Sequence, residues 1–131
     1  MGNNQLNSLN ISSLKGLSKD RAILLKFIQN QVAKGEGKPF RLILLEHSEA
    51  KRYYLALKHV TTTNKAICMA MQIPVEAGTR YKATLEKQGL LVSSTDEYPC
   101  PYTGDKAHLL TTNPMEFERL RKTKNNQLTL F

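Results

Sequence analysis

A proline that directly follows an apolar helical stripe constrains this fold more than any other feature of the sequence. Ile67, Ala70 and Met71 recur at the spacing of one helix face, and Ile73-Pro74 comes next. A residue before proline is driven out of the α region, whereas proline itself fits the first turn of a new helix. The sequence therefore predicts two short helices that meet at a sharp turn, the first of them capped by Thr63.

The helix that begins at this proline is predicted to span about residues 74–88. Gly78, Tyr81 and Leu85 share its inner face, at a spacing typical of a buried stripe. Gly89 follows at the position where many helices end in a residue of positive φ. The second helix of the pair is therefore predicted to end just before Gly89 and to lead directly into a strand.

A β-hairpin is predicted after this helix. Residues 90–97 and 106–112 can pair as antiparallel strands around a turn at 99–105, which contains two prolines and Gly104. Asn113-Pro114 ends the second strand, and residues 115–122 are expected to form a short charged helix.

The region before the two-helix turn is predicted to contain two more helices. Ser48 is a suitable N-cap for a helix that continues through Lys58. A longer amphipathic helix is expected over residues 18–34, and its stripe comprises Leu24, Phe27, Ile28 and Gln31. The short apolar run at residues 40–45 could be a strand or the start of a helix. We expect an extended segment there, which could add a strand to the sheet.

Charge and cysteine content narrow the class of protein. Lysine and arginine number 19 against 11 acidic residues among 131, so the formal net charge is +8. This surplus favours an anionic partner, which could be nucleic acid or a membrane surface, although a mere gain in solubility is also possible. No apolar run approaches the roughly 18 residues that span a bilayer, so we expect no membrane partner. Two cysteines are too few for a disulfide framework, and a reduced, cytoplasmic setting is the default expectation.

The element order and two sequence stretches resemble the winged helix-turn-helix family, including its MarR-like bacterial regulators. The stretches are residues 63–74 and the pattern Thr79-Arg80-Tyr81-(x)3-Leu85-Glu86-(x)2-Gly89-Leu90. The resemblance covers about residues 48–113. It implies an α+β fold with a three-helix core and a small antiparallel hairpin, here preceded by an extra helix. Many members place glycine in the turn between the second and third helices, where this chain has Gln72.

The resemblance also implies a non-enzymatic DNA-binding protein, a transcriptional regulator of a bacterium or a mobile element. The outer face of the helix at 74–88 alternates small and long polar side chains, so it can enter a major groove about 12 Å wide. Arg80 could pair with guanine edges, and Lys65 lies where helix N–H groups favour a phosphate. The predicted DNA-binding residues are Thr63, Lys65, Glu76, Ala77, Thr79, Arg80, Lys82, Thr84 and Lys87.

Two alternatives to DNA contact stay open. The charged face could be an ordinary solvated helix surface, and some winged-helix domains bind proteins instead. The hairpin tip carries Asp96, Glu97 and Asp105 against Lys106, so a DNA backbone would repel it. We therefore expect the third helix, rather than the hairpin tip, to dominate binding to DNA.

The last five residues suggest a different partner. Gln127, Leu128, Thr129, Leu130 and Phe131 follow a polar linker, and they resemble the pentapeptide by which bacterial replication and repair proteins hold the sliding clamp. Its usual form is Gln-Leu-(Ser or Asp)-Leu-Phe, so only the threonine departs from it. The alternative function is therefore an interaction module of replication or repair, tethered to the clamp through Gln127, Leu128, Leu130 and Phe131. These apolar side chains could instead pack on the domain or on a second subunit.

The sequence offers little for catalysis or metal binding. His47, His59 and His108 show no metal-ligand spacing with Cys68 or Cys100, and no phosphate loop or hydrolase motif is present. Cys68 is expected to fill the core, whereas Cys100, between two prolines, could be exposed. A catalytic pair of Cys100 and His108 is the weaker alternative. We expect no enzyme activity, cofactor or metal.

These observations divide the chain into four parts. Residues 1–17 are predicted to be a disordered leader, 18–47 a helical extension and 48–113 the winged helix-turn-helix domain. Residues 114–131 are predicted to be a short charged helix and a flexible tail. The stripe of the helix at 18–34 could pack on its own domain or pair with the same helix of a second chain, so a homodimer is a further expectation.

Overall fold

The computed structural model describes residues 19–122, which form an α+β fold of six helices and one two-stranded antiparallel sheet. The elements in chain order are α1 (Lys19–Glu36), α2 (Phe40–Glu46), α3 (Glu49–His59), α4 (Asn64–Met71), α5 (Val75–Lys87), β1 (Val92–Pro99), β2 (Lys106–Thr111) and α6 (Pro114–Arg121). None of the helices within 19–122 is long and apolar enough to cross a membrane. The predicted leader and the C-terminal pentapeptide lie outside the described residues.

The two helices predicted around Pro74 are confirmed as α4 and α5. Thr63 caps α4 by accepting a hydrogen bond from the Ala66 N–H at 3.3 Å. Gln72 then adopts the left-handed conformation, with φ of 60° and ψ of 49°. It is the one residue other than glycine with positive φ in the described part of the chain. Gln72 thus takes the backbone conformation that glycine would adopt more readily.

The predicted hairpin is also confirmed. β1 and β2 pair antiparallel from Val92↔Thr111 to Pro99↔Lys106, with a bulge between Ser93 and Glu97. Leu110 also donates its N–H to the Thr62 carbonyl at 2.8 Å. The segment before α4 is therefore joined to the far side of β2 through one isolated bridge.

The core lies where α1, α3 and α4 meet the inner side of the hairpin. Its largest fully buried apolar side chains come from five different elements: Tyr53, Leu25, Ile28, Ile43, Leu57, Ile67, Met71, Leu110 and Val32. Ile67, Ala70 and Met71 are all fully buried, as the sequence predicts. This core holds α4, and α5 packs against α4 and α3 from outside.

The expectation of an extended segment at residues 40–45 is wrong, because Phe40–Glu46 is helix α2. Pro39, with φ of −60° and ψ of 145°, occupies its N-cap position. Leucine and arginine favour helix, and the described chain offers this run no strand neighbour. Ile43 is instead buried against the core, and the ion pair of Lys38 with Glu46, at 2.7 Å, spans the helix.

The predicted stripe of α1 is correct at Ile28 and Leu24, which contact the core, but its centre is rotated about the helix axis. The buried residues are Leu25, Ile28 and Val32, whereas Phe27 is 54% exposed and Gln31 is exposed. The helix carries two overlapping apolar stripes, and packing against α4 selects one of them. A hydrogen bond from Gln29 Nε2 to the Ala70 carbonyl, at 3.0 Å, accompanies this rotation.

Candidate nucleic-acid interface

Tyr81 of helix α5 contacts helix α3 through its hydroxyl and its ring. The Tyr81 hydroxyl donates a hydrogen bond to Glu49 Oε1 at 3.1 Å, and its ring meets the Tyr53 ring edge-on at 5.9 Å between centroids. Burial and the Glu49 carboxylate both raise the pKa of Tyr81, which keeps the hydroxyl a donor. Val75 and Leu85 pack on the core from the same side. The inner face predicted from the sequence is therefore the face that holds α5.

Asn64 joins the amino end of α4 to both neighbouring helices. Its Oδ1 accepts a hydrogen bond from the Tyr53 hydroxyl at 2.7 Å, and its Nδ2 donates to Thr79 Oγ1 at 3.4 Å. Sequence reasoning missed this residue. The available signal was a polar side chain just after the Thr63 cap, where it can reach the following helix.

The outer face of α5 is exposed over its whole length. Its members recur at helical spacing: Glu76, Thr79, Arg80, Ala83, Thr84 and Lys87. Arg80 and Lys87 make no hydrogen bond or ion pair with any residue in 19–122, and they lie about 10 Å apart along the helix axis. Within the described residues, Arg80 and Lys87 are thus two positively charged side chains without a partner, on a surface that is narrow because its other side chains include Ala83 and Thr84.

Lys65 extends this surface onto α4. It is exposed in the first turn of α4, where main-chain N–H groups lack helical acceptors. Asn64, its neighbour in sequence, contacts Thr79, the neighbour of Arg80. The first turn of α4 therefore adjoins the exposed face of α5, and both present positive charge.

Two predicted DNA-binding residues already have partners within the domain. Lys82 forms an ion pair with Glu86 at 3.0 Å, and Glu86 also accepts a hydrogen bond from Ser93 Oγ at 2.7 Å. The Thr79 hydroxyl donates to the Val75 carbonyl at 3.1 Å. Thr79 lies on the exposed face and Lys82 flanks it, and the polar atoms of both are less available than those of Arg80 and Lys87.

Two other predicted residues are buried, so placing them on the DNA-binding surface is a mistake of the sequence reasoning. Thr63 is 0% exposed, because its hydroxyl caps α4 and contacts Cys100 Sγ at 2.9 Å. Ala77 is 5% exposed and belongs to the core cluster. Because α5 packs against both α3 and α4, the covered part of its circumference is wider than one stripe.

The turn of the hairpin is anchored to the rest of the domain. Cys100 and Tyr102 are buried, and Arg21 Nε donates to the Tyr102 carbonyl at 2.6 Å while its guanidinium lies 4.7 Å from the Tyr102 ring centroid. Cys100, for which the sequence allowed an exposed position, is therefore buried. Tyr102 therefore lies against α1, and Cys100 lies against the N-cap of α4.

The cysteines occupy distinct environments. Burial raises the pKa of Cys68 to about 12, as suits a thiol that fills the core. Burial acts in the same direction on Cys100, but hydrogen bonds from Thr63, Thr103 and the Tyr102 backbone outweigh it and lower its pKa. His108 Nδ1 donates to the Ser94 carbonyl at 2.8 Å, so the Cys100–His108 pair considered above has no hydrogen bond joining it.

Within residues 19–122, no group of three or more histidine, cysteine, aspartate or glutamate side chains could hold a metal ion. Comparison with protein-family models, curated proteins and solved structures found no match to this chain. The surface formed by α4 and α5 is therefore the candidate functional site within residues 19–122.

Proposed function

We propose that this chain is a non-enzymatic DNA-binding protein with a winged helix-turn-helix fold, in which α5 enters the major groove. The observation that carries the proposal is the exposed face of α5, on which Arg80 and Lys87 have no partner within residues 19–122. The net charge of +8 and the order of α3, α4, α5 and the hairpin support the same proposal. The biological role that best suits such a protein is transcriptional regulation in a bacterium or a mobile element.

Each exposed polar residue has a distinct role in this proposal. Arg80, near the middle of α5, pairs with a guanine edge, because its planar guanidinium can donate two hydrogen bonds. Thr84 lies one turn further and reaches a base or a phosphate. Lys65 and Lys87 contact phosphates on either side, and the free N–H groups of the first turn of α4 assist Lys65.

The hairpin contributes less to binding than α5 in this proposal. Its tip is held against α1 and α4, and Glu97 and Asp105 are exposed near it. Carboxylates beside a DNA backbone weaken binding through like-charge repulsion. Affinity for DNA therefore comes chiefly from α5 and from Lys65.

Variants matched in charge test the proposal. Fluorescence anisotropy with random duplex DNA at low salt would compare Arg80→Ala and Lys87→Ala with Lys58→Ala. Lys58 is exposed in the last turn of α3, about 14 Å along that helix from Glu49, which contacts α5. We expect the α5 variants to lose about tenfold in affinity, or about 1.4 kcal/mol. The Lys58 variant should bind almost as the parent chain does. Equal losses in all three variants would contradict a site on α5.

A further inference from the structure

One stripe of α1 is left uncovered by every residue in 19–122. Ile23 is 47% exposed and Phe27 is 54% exposed, and both lie on the side of α1 away from Leu25 and Val32. Large apolar side chains exposed side by side on one helix commonly mark an interaction surface. The residues along this outer stripe are Asp20, Ile23, Phe27, Gln31 and Lys34, all of them exposed.

The charges along this stripe are arranged symmetrically about Phe27. Asp20 and Lys34 each lie two helical turns from it, at heptad spacing, on the same side of the helix. They are about 21 Å apart along the axis, too far to pair within one helix. Neither forms an ion pair with any residue of the described chain. Lys19 is adjacent to Asp20 but lies a quarter turn away, off the centre of the stripe.

We propose that the outer stripe of α1 is the contact surface for a second copy of this chain, with the two α1 helices antiparallel about Phe27. A two-fold axis at this point places Asp20 of one copy beside Lys34 of the other, twice. Phe27 then packs on its symmetry mate, and Ile23 faces the aliphatic part of Gln31 across the interface.

The charges select this arrangement over a parallel one. A parallel pair in the same register would bring Asp20 beside Asp20 and Lys34 beside Lys34, and like charges at close range are unfavourable. The antiparallel pair converts both contacts into opposite-charge contacts. The occupant of the stripe is therefore a second copy, because the stripe complements its own reversed sequence in charge and places Phe27 against Phe27.

Sedimentation equilibrium of the full chain tests the dimer without DNA, so its outcome is independent of the proposed function. Phe27→Gln should raise the dimer dissociation constant at least tenfold, and Lys34→Asp should raise it comparably by opposing Asp20 with a second carboxylate. The double variant Asp20→Lys with Lys34→Asp exchanges the charges and should restore the dimer. Because all three side chains are exposed, each variant should fold, which circular dichroism would check.

Three results would overturn the proposal. A chain that stays monomeric at 100 µM or so has no such interface at useful affinity. A dimer unaffected by Phe27→Gln and Lys34→Asp uses another surface. A chain that dimerises only after residues 123–131 are deleted would show that its own C-terminal segment, and not a second copy, occupies the stripe.

Discussion

Gly78 of α5 lies directly against Cys68 of α4, so closely that a Cβ on Gly78 would overlap the Cys68 sulfur. The same Cβ would lie 3.0 Å from Asn64 Oδ1 and 3.3 Å from Tyr53 Cε1. The backbone of α5 therefore approaches α4 at the one point where α5 has no side chain. This contact sets the spacing of the two helices that carry Lys65 and Arg80.

The close contact of Gly78 with Cys68 gives the first prediction. Gly78→Ala should destabilise the chain by about 1–3 kcal/mol through overpacking, although alanine has the better helix propensity by about 1 kcal/mol. Urea denaturation measures the change. In a Cys68→Ala background the overlapping sulfur is gone, so the same substitution should cost much less. An equal penalty in both backgrounds would mean that this contact does not set the helix spacing.

The turn between α4 and α5 gives the second prediction. Gln72 has φ of 60°, a conformation that costs a residue with a Cβ about 1–2 kcal/mol. Gln72→Gly removes that strain but adds backbone entropy to the unfolded chain, so we expect a net gain of about 0.5–1 kcal/mol. Gln88→Gly is the matched control. Because Gln88 has φ of −81°, which any residue adopts without strain, this variant should be less stable than the parent chain. Thermal denaturation measures the melting temperature of both variants. A shift in the same direction for both would refute the strain at Gln72.

The third prediction is a pH dependence at Glu86. Partial burial would raise the pKa of this carboxyl, but hydrogen bonds from Ser93 and Lys82 and the charge of Lys82 outweigh burial and lower it. A carboxyl with a lowered pKa in the folded state stabilises the fold above its unfolded pKa, and this stability is lost as pH falls through the folded pKa. Glu86→Gln should therefore reduce stability at pH 7, and the difference from the parent chain should shrink towards about pH 3.

Chemical denaturation from pH 7 to pH 3 measures this difference. In a Ser93→Ala background one of the two hydrogen bonds is absent, so the pH dependence of the Glu86→Gln effect should be smaller. A Glu86→Gln effect that is constant across this range would show that the carboxylate contributes nothing through its charge.

Local signals in the sequence predicted the elements near the candidate site well. Pro74, the Thr63 cap and Gly89, with φ of 75°, have effects that depend on a few neighbouring residues. The inner face of α5 followed from spacing alone. By contrast, the burial of Ala77 depends on two helices packing against α5 at once, and no local pattern reports that.

The errors elsewhere have the same physical origin. The run at residues 40–45 is apolar except for Arg41, and it is too short for its period to distinguish a strand from α2. Helix α1 could bury either of two stripes, and the choice depended on its contact with α4. The burial of Cys100 follows from contacts with Thr63 across 37 positions of sequence. Each of these features is decided by tertiary packing.

The C-terminal pentapeptide gives the fourth prediction. Leu128→Ala with Phe131→Ala should abolish capture by a bacterial sliding clamp, because these side chains supply the apolar contacts of the motif. Affinity for DNA should not change, since the proposed DNA site lies on α4 and α5. Thr129→Ser, which restores the usual form of the motif, is the control and should retain capture. Failure of the parent chain to bind the clamp in a pull-down would exclude this partner.

The salt dependence of DNA binding tests the central claim most directly. Anisotropy titration of random duplex DNA at several salt concentrations gives a slope of log affinity against log salt, about −0.9 for each phosphate neutralised. We predict a slope of about −3 to −6 for the parent chain, reduced in magnitude by roughly 2 in the double variant Arg80→Ala with Lys87→Ala. No binding at low salt, or a slope that the double variant leaves unchanged, would contradict the assignment of α5 as the DNA-binding helix.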